Sequence, residues 1–248
     1  MALSDQTAPT PRNRLLAALS PDDFARLRPR LEAIELPFRK VLHEPGKPIE
    51  AVYFPETGYV SMLAYMEDGD AAEVGLTGNE GTVGLPVLLG ADHDDNEGMV
   101  QSAGTALRMD AQAFREELER SLDLRTLLLR YILVHHGQVV RTAACNGRHQ
   151  TDQRLGRWLL MAHDRSEGDE YPMTHELLSM MLGVRRAGIT IAAGALQKAG
   201  FIRYGRVRIE VTDRPSLESV ACECYGTVRQ AQHQLLGLPT GATDVYRP

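Results

Sequence analysis

The sequence of 248 residues predicts an α+β protein with three parts in series: an antiparallel β-roll of the jelly-roll kind, a long helix, and a helix-turn-helix followed by a hairpin. Three observations predict this order. Short apolar segments separated by Gly, Pro and Asp run from Ile34 to about Met109. Helical periodicity begins after Asp110 and continues for most of the remaining chain. Gly183 separates two short helical patterns near the C-terminal end of the chain.

The β-roll is predicted from six strand-length segments rich in Val, Tyr, Phe and Leu. They are Lys40–His43, Ala51–Phe54, Val60–Met66, Ala71–Leu76, Met99–Ser102 and Thr105–Met109. The dipeptide Asp68–Gly69, between the third and fourth segments, is typical of a hairpin turn. Two short helices, Arg14–Ala18 and Pro21–Leu31, are predicted before the strands and a third, Ala111–Arg120, after them. We place this domain at residues 13–120.

A long helix follows, and we assign residues 121–147 to it. Ser121 is a suitable N-cap, and the helical pattern continues to about Asn146. The apolar stripe consists of Leu124, Leu127, Tyr131, Val134 and Gln138, flanked by Leu128, Ile132, His135 and Val139. A stripe of this length allows two arrangements: it is buried within the monomer, or it pairs with its copy in a parallel dimer.

The C-terminal part, residues 148–225, contains the predicted helix-turn-helix. Thr174 caps a helix over His175–Leu182, and Gly183 ends it in the left-handed conformation that glycine tolerates. Arg185 begins a second helix that continues to about Ala199. The stretch Phe201–Val211 forms a hairpin, which would be a wing. The segment Ser166–Pro172 is interpreted as a polar loop, and residues 226–248 as a C-terminal tail.

Charge is unevenly distributed along the chain, which has 27 basic and 33 acidic residues and a net charge of −6. Between Val41 and Glu119 there are sixteen acidic and three basic residues, whereas Met173–Thr212 has six basic and two acidic ones. The basic window can receive a polyanion that the acidic part would repel. The alternative is that both are solvated surfaces of one domain.

The second helix of a helix-turn-helix places its N-terminal residues in the major groove of DNA. Arg185 and Arg186 stand there, and arginine pairs well with guanine O6 and N7. Thr190, one turn later, can reach a base or a phosphate, and the free N–H groups at Thr174 and His175 suit a phosphate. Arg203, Arg206 and Arg208 on the wing are expected to contact the DNA backbone. The alternative roles for this region are an ordinary helix pair or a protein-contact module.

The order of β-roll, long helix and winged helix-turn-helix resembles the Crp/Fnr family of bacterial transcription regulators. The similarity is strong from Met173 to Val211, and weaker in Asp22–Met109, which looks like that family's cyclic-nucleotide-binding-type sensor domain. The resemblance implies a cytoplasmic homodimer that binds a palindromic operator, with RNA polymerase as a further partner. The family's recognition helix often opens Ser-Arg-Glu; here Arg186 keeps the arginine, Ala187 replaces the glutamate and Ile191 replaces a second arginine. The usual operator half-site is therefore not expected.

The sensor departs from the family's cyclic AMP site. That site needs a Gly-Glu pair for the ribose and an Arg-Ser or Arg-Thr pair for the phosphate. Here Leu85 follows Gly84 where the glutamate belongs, and Asp92–Gly98 contains acidic residues but no arginine. A phosphate would be repelled there, so we expect no cyclic AMP and leave the effector unassigned.

Other functional classes receive little support. The sequence contains no G-x-S-x-G motif and no Gly-rich phosphate loop, so we expect no enzyme. No apolar run approaches the length of a membrane span, and no secretory signal is recognised at the start.

The three cysteines and eight histidines are weighed as metal ligands. Cys222 and Cys224 beside His233 give only one clear ligand pair, so with Cys145 we expect reduced thiols and no metal. The main alternative function is a cupin-like metal- or ligand-binding β-roll with an accessory helical domain. It requires clustered histidines, and only His43 and His93 lie in the roll.

Overall fold

The computed structural model describes residues 10–205 and 207–237. In these residues the strands are β1 (Glu32–Leu36), β2 (Val41–His43), β3 (Ala51–Pro55), β4 (Tyr59–Tyr65), β5 (Ala71–Thr77), β6 (Glu97–Ser102), β7 (Gly104–Asp110), β8 (Glu170–Pro172), β9 (Ile202–Tyr204) and β10 (Arg208–Val211). The helices are α1 (Arg14–Ala17), α2 (Pro21–Leu27), α3 (Leu85–Leu88), α4 (Ala111–Arg120), α5 (Leu122–Arg148), α6 (Thr151–His163), α7 (His175–Leu182), α8 (Arg186–Lys198), α9 (Arg214–Val220) and α10 (Cys224–Leu236). The fold is α+β, as the sequence predicts.

The N-terminal domain is built from two antiparallel sheets. One has the strand order β1-β7-β3 and the other β2-β6-β4-β5. All six segments predicted as strands overlap β2 to β7. The turn predicted at Asp68–Gly69 joins β4 to β5, and Gly69 has a φ of 88°, which glycine adopts without steric cost.

The second short helix ends earlier than the sequence suggests. Ser20 caps it as predicted, because its Oγ accepts a hydrogen bond from the Asp23 amide at 3.1 Å. The α-helix stops at Leu27, and Arg28–Arg30 form a single 3₁₀ turn before β1 begins. Pro29 lacks an amide hydrogen and therefore cannot continue the helical bonding pattern.

The burial of helix α5 distinguishes the two arrangements that the sequence left open for its apolar stripe. Ser121 caps it, with Oγ accepting from the Leu124 amide at 3.0 Å, as predicted. Leu124, Leu128, Tyr131 and Val134 are buried against the strands and helices of the N-terminal domain. The arrangement in which this stripe pairs with a second copy is therefore wrong for these residues. A different face of α5 remains exposed and carries Leu122, Leu129, Leu133 and Val140.

The chain after residue 225, assigned above to a C-terminal tail, is helical up to Leu236. Helix α10 begins at Cys224, so the domain boundary placed at residue 225 falls inside it. Its Leu236 joins the same apolar cluster as Leu124 and Leu128 of α5. Helix α10 thus returns from the C-terminal domain to pack along the long helix. Residues 238–248 of the predicted tail lie outside the described residues.

The predicted loop at Ser166–Pro172 also needs a correction. Its last three residues form β8, which pairs with β10 and makes the wing a three-stranded sheet of order β8-β10-β9. Tyr171 is buried, and its hydroxyl donates a hydrogen bond to the Leu159 carbonyl at 3.0 Å. This short strand is stabilised by pairing with β10, almost forty residues later in the chain, so the local sequence does not predict it.

The C-terminal domain packs directly on the four-stranded sheet. Tyr59, Leu63 and Leu76 of that sheet share one hydrophobic cluster with α6 and α7 residues such as Leu159 and Leu178. The two domains therefore have a continuous apolar interface.

In the part of the chain that is described, no single helix is long and apolar enough to cross a membrane. Only α7 and α8 taken together meet that test, and they are bent by 109° relative to each other.

Buried polar contacts cross this interface. Glu73 of β5 accepts hydrogen bonds from Trp158 Nε1 of α6 at 2.7 Å and from Ser61 Oγ at 2.6 Å. Burial raises the pKa of Glu73 from 4.5 to about 7. Close by, Arg165 donates from Nη2 to Glu80 Oε1 at 2.7 Å, and both side chains are buried.

The raised pKa of Glu73 predicts a pH-dependent stability. The folded state holds the Glu73 proton more tightly than the unfolded state between pH 4.5 and about 7. The free energy of unfolding should therefore fall as pH rises through this window, by roughly 1–3 kcal/mol from this one group. Glu73→Gln cannot titrate and should lose this contribution. Denaturant unfolding of both proteins between about pH 5 and about pH 8 measures it.

Other groups titrate in the same range, so the difference between the two proteins is the informative quantity. Burial lowers the pKa of His135 to about 4, which opposes the effect of Glu73 but is common to both proteins. If the two stability curves run parallel across the window, Glu73 does not bind its proton as the structure indicates.

Candidate nucleic-acid interface

Helices α7 and α8 form the predicted helix-turn-helix. Thr174 caps α7, with its Oγ1 accepting from the Leu177 amide at 3.2 Å. Gly183 ends the helix with a φ of 60°, the left-handed conformation expected for a glycine at this position. The two helices bend by 109°, which lies in the range of this motif.

A small apolar core holds the two helices of the motif together. Leu178 and Leu182 from α7 are buried together with Ile189, Ala192 and Leu196 from α8. Val184 in the turn packs against the same cluster. Because these residues hold one face of α8 against α7, its opposite face points outward.

The exposed face of α8 carries most of the predicted base contacts. Arg186, Ala187 and Thr190 are exposed, and so is Ile191, at 75%. Arg185 is also exposed, but it is the N-cap of α8 with extended backbone, so the helix begins one residue later than predicted. Among the described residues, Arg185 and Arg186 form no ion pair. Two guanidinium groups are therefore available at the start of the helix.

His175 and Thr190 are brought together, although the sequence interpretation assigned each of them separately to DNA. Thr190 Oγ1 donates to the Arg186 carbonyl at 3.1 Å and lies 3.2 Å from His175 Nδ1. The His175 ring stacks on Tyr204 of the wing, with centroids 4.2 Å apart. Burial lowers the pKa of His175, which favours the neutral ring. Through these contacts, His175 joins α7 to α8 and to the wing.

The wing arginines are paired with acidic residues of neighbouring strands. Arg203 Nη1 lies 2.5 Å from Glu210 Oε2, and Arg208 Nε lies 2.6 Å from Glu170 Oε1. Both ion pairs are exposed to solvent, so a phosphate can compete for the guanidinium groups at modest cost. Arg206, the remaining predicted wing contact, lies outside the described residues.

A cleft of about 750 Å³ separates the start of α8 from the N-terminal domain. Its walls are Arg185 and Arg186 on one side and the β4–β5 hairpin, including Tyr65, Met66 and Asp70, on the other. The surface suited to DNA therefore borders the sensor hairpin of the same protomer.

A second cavity, of about 360 Å³, lies between the β-roll and α5. Its lining is mainly apolar and includes Leu85 and Val139, and its ionisable residues are Asp94, His135 and His136. Neither lysine nor arginine occurs among the described residues that line it. Burial lowers the pKa of His135 to about 4, so that ring is neutral near pH 7. Asp94 is the one carboxylate among the described residues that line this cavity.

Tertiary structure assembles a group that sequence reasoning missed. Cys145 and His149 at the end of α5 meet Cys222 and Cys224 in the link to α10. Cys145 and His149 are four residues apart, a spacing that places both on one face of a helix and is the sequence signal for this group. His233, which the sequence analysis pairs with Cys222 and Cys224, does not belong to it. His233 is exposed on α10, nine residues and about 14 Å along the helix from Cys224.

The β-roll itself gives little support to the cupin-like alternative. Within the described ranges, the one group able to hold a metal ion lies outside the roll. His43 is buried in the roll, whereas His93 is exposed beside Asp92.

The chain matches two family models. Residues 34–121 match the cyclic nucleotide-binding domain, and residues 153–220 match the Crp-like helix-turn-helix domain. Together the two matches cover more than half of the chain. No curated protein sequence matches it.

Solved structures share this fold at low sequence identity. FixK2 from Bradyrhizobium japonicum has a TM-score of 0.67 at 14% identity, covering 77% of this chain and 98% of that chain. A CRP-family transcriptional regulator from Thermus thermophilus gives 0.62 at 18%, with 76% and 96% covered. The c-di-GMP responsive global regulator CLP from Xanthomonas campestris gives 0.57 at 16%, with 77% and 99% covered. With both domain types matched in this order and the exposed α8 surface in place, the chain belongs to the Crp/Fnr family, whose members are transcription regulators and not enzymes.

Proposed function

We propose that this protein is a sequence-specific transcription regulator that binds a palindromic operator as a homodimer. The observation that carries the proposal is the exposed start of α8, where Arg185 and Arg186 stand together on a helix-turn-helix. An arginine there can donate two hydrogen bonds to one guanine in the major groove. A regulator of this kind acts in the bacterial cytoplasm, and RNA polymerase is its expected partner there.

Dimerisation is supported by the face of α5 that the protomer leaves uncovered. Leu122 and Leu129 are seven residues apart, as are Leu133 and Val140, and each is between 46% and 76% exposed. Rows repeating every seven residues suit two helices wound around each other in parallel. An operator with two half-sites one turn of DNA apart, about 34 Å, would take one copy of α8 from each chain of such a dimer.

The effector is proposed to occupy the cavity between the β-roll and α5. The apolar lining suits a small molecule with little charge. The described lining residues include no lysine or arginine that could bind a phosphate. Cyclic AMP is therefore not the proposed effector. A molecule bound there would contact α5 and would bias the position of the C-terminal domain on the sheet.

Arg186→Ala should relax base preference, because it removes the paired contact to one base. We expect binding to a selected operator to weaken by about 1–3 kcal/mol, while binding to unrelated DNA changes little. Fragments selected from random DNA supply the operator, and titrations at several salt concentrations measure both affinities. Lys198→Ala is the matched control, since Lys198 is an exposed cation at the far end of the same helix. Equal loss in both variants, or no salt-dependent DNA affinity in the parent, would contradict the proposal.

Leu133→Glu should separate the dimer into protomers, because a parallel pair would bring two carboxylates together in an apolar seam. Sedimentation equilibrium of the parent and the variant measures this directly. Phe38→Glu is the control: Phe38 is 46% exposed, like the seam residues, but lies between β1 and β2. A Leu133→Glu protein that remains a dimer would exclude this face as the seam.

Cyclic AMP should neither release heat in calorimetric titration nor raise the melting temperature. The physical reason is that its phosphate would lie near Asp94 and a neutral His135, with no cation among the described lining residues. Saturable binding that is abolished by filling the cavity with Val139→Trp would overturn this assignment.

A further inference from the structure

Three thiols and an imidazole meet where the long helix ends. The ligand atoms of Cys145, His149, Cys222 and Cys224 all lie within 4.8 Å of one another. Cys145 Sγ is 3.4 Å from Cys222 Sγ, and Cys224 Sγ is 3.8 Å from His149 Nδ1. The three cysteines are at most 4% exposed, and the imidazole is half-buried.

The chain builds this group from two short pairs. Cys145 lies in the last turn of α5, and His149 follows four residues later as the C-cap, where the backbone turns to an extended conformation. Cys222 lies in the link between α9 and α10, Glu223 is the N-cap of α10, and Cys224 is the first residue of that helix. The spacings C-x₃-H and C-x-C thus come from segments more than seventy residues apart.

The distances suit a tetrahedral metal ion. Zinc binds sulfur at about 2.3 Å and imidazole nitrogen at about 2.0–2.1 Å, so tetrahedral ligands lie about 3.8 Å (S to S) and about 3.6 Å (S to N) apart. The observed separations of 3.4 and 3.8 Å are close to these edges. Four protein ligands complete the coordination and leave no position for a substrate, as in structural zinc sites.

The neighbours of the cluster also match a metal site. His149 Nε2 lies 3.2 Å from Glu223 Oε2. A ligand histidine usually donates its second N–H to such a carboxylate, which directs the other ring nitrogen to the metal. Here that other nitrogen is Nδ1, the atom that faces Cys224 Sγ.

Two arginines lie near the cluster and would offset the charge of a metal-thiolate group. Zn²⁺ with three thiolates carries a net charge of −1. Arg157 interacts electrostatically with Cys145 and Cys224, and Arg154 with Cys145 and Cys222. Arg157 is 6% exposed, and its Nε has no hydrogen-bond partner among the described residues.

We propose that Cys145, His149, Cys222 and Cys224 bind one structural Zn²⁺ per chain. The ion ties the end of α5 to the start of α10, at the point where the chain leaves the long helix for the DNA-binding domain. It thereby fixes the link between the long helix and the C-terminal domain. The site stands on its own ligands and does not depend on the proposed DNA function.

Metal analysis of the full-length protein, purified without chelator or affinity metal, tests the site. We expect one zinc per chain by elemental analysis, released in step with the titration of three thiols by a mercurial reagent. Replacement by Co²⁺ should give the intense visible bands of a tetrahedral ion and a thiolate charge-transfer band. A folded parent protein that contains no zinc and takes up neither ion overturns the proposal, as does stoichiometric iron or a Cys145–Cys222 disulfide in reducing buffer.

Variants separate ligation from folding. His149→Cys should retain the metal and increase the charge-transfer intensity of the Co²⁺ protein, because a fourth thiolate replaces the imidazole. Glu223→Gln should weaken zinc binding by about 10- to 100-fold without abolishing it. His233→Ala is the matched control on exposed α10 surface and should retain full zinc content. Unchanged Co²⁺ spectra in His149→Cys would overturn the assignment of His149 as a ligand.

Discussion

The buried contact between the four-stranded sheet and the region of α6 is the constraint on which the rest of the molecule depends. Glu73 reaches Trp158, and Glu80 reaches Arg165, inside an apolar interface that also contains Tyr59 and Leu76. Removing one partner of a buried charge pair costs about 3–5 kcal/mol, because the other charge is left unpaired. These contacts stabilise the arrangement in which the start of α8 lies next to the β4–β5 hairpin.

Helix α5 connects the parts because each of its faces has a different neighbour. One face is covered by the N-terminal domain through Leu128 and Tyr131, and α10 packs along another. The third carries exposed apolar residues such as Leu133. The cavity next to the β-roll and the Cys-His group lie at different positions along the same helix. A displacement of α5 would therefore change its exposed apolar face, the cavity and the domain link together.

Much of the interface could be predicted from local sequence, and the exceptions have physical reasons. Thr174, Gly183 and the core of the helix-turn-helix depend on contacts within about twenty residues, so spacing alone places them. Thr190 and the N–H groups at the start of α7 were predicted to contact DNA, and the structure adds a contact between the Thr190 hydroxyl and the His175 ring, on which Tyr204 stacks. That stack joins residues from α7, α8 and the wing, and no periodicity in the sequence encodes it.

The sequence by itself determined the order of the three parts, the caps at Ser121 and Thr174, the hairpin at Asp68–Gly69 and the arginines at the start of α8. These features follow from backbone preferences and from the alternation of apolar residues, which act over a few positions. Only the tertiary structure decided which face of α5 is covered, where β8 pairs, and that Cys145 and His149 meet Cys222 and Cys224. Each of these depends on segments far apart in the chain, whose approach is set by packing of the whole fold and not by any local pattern.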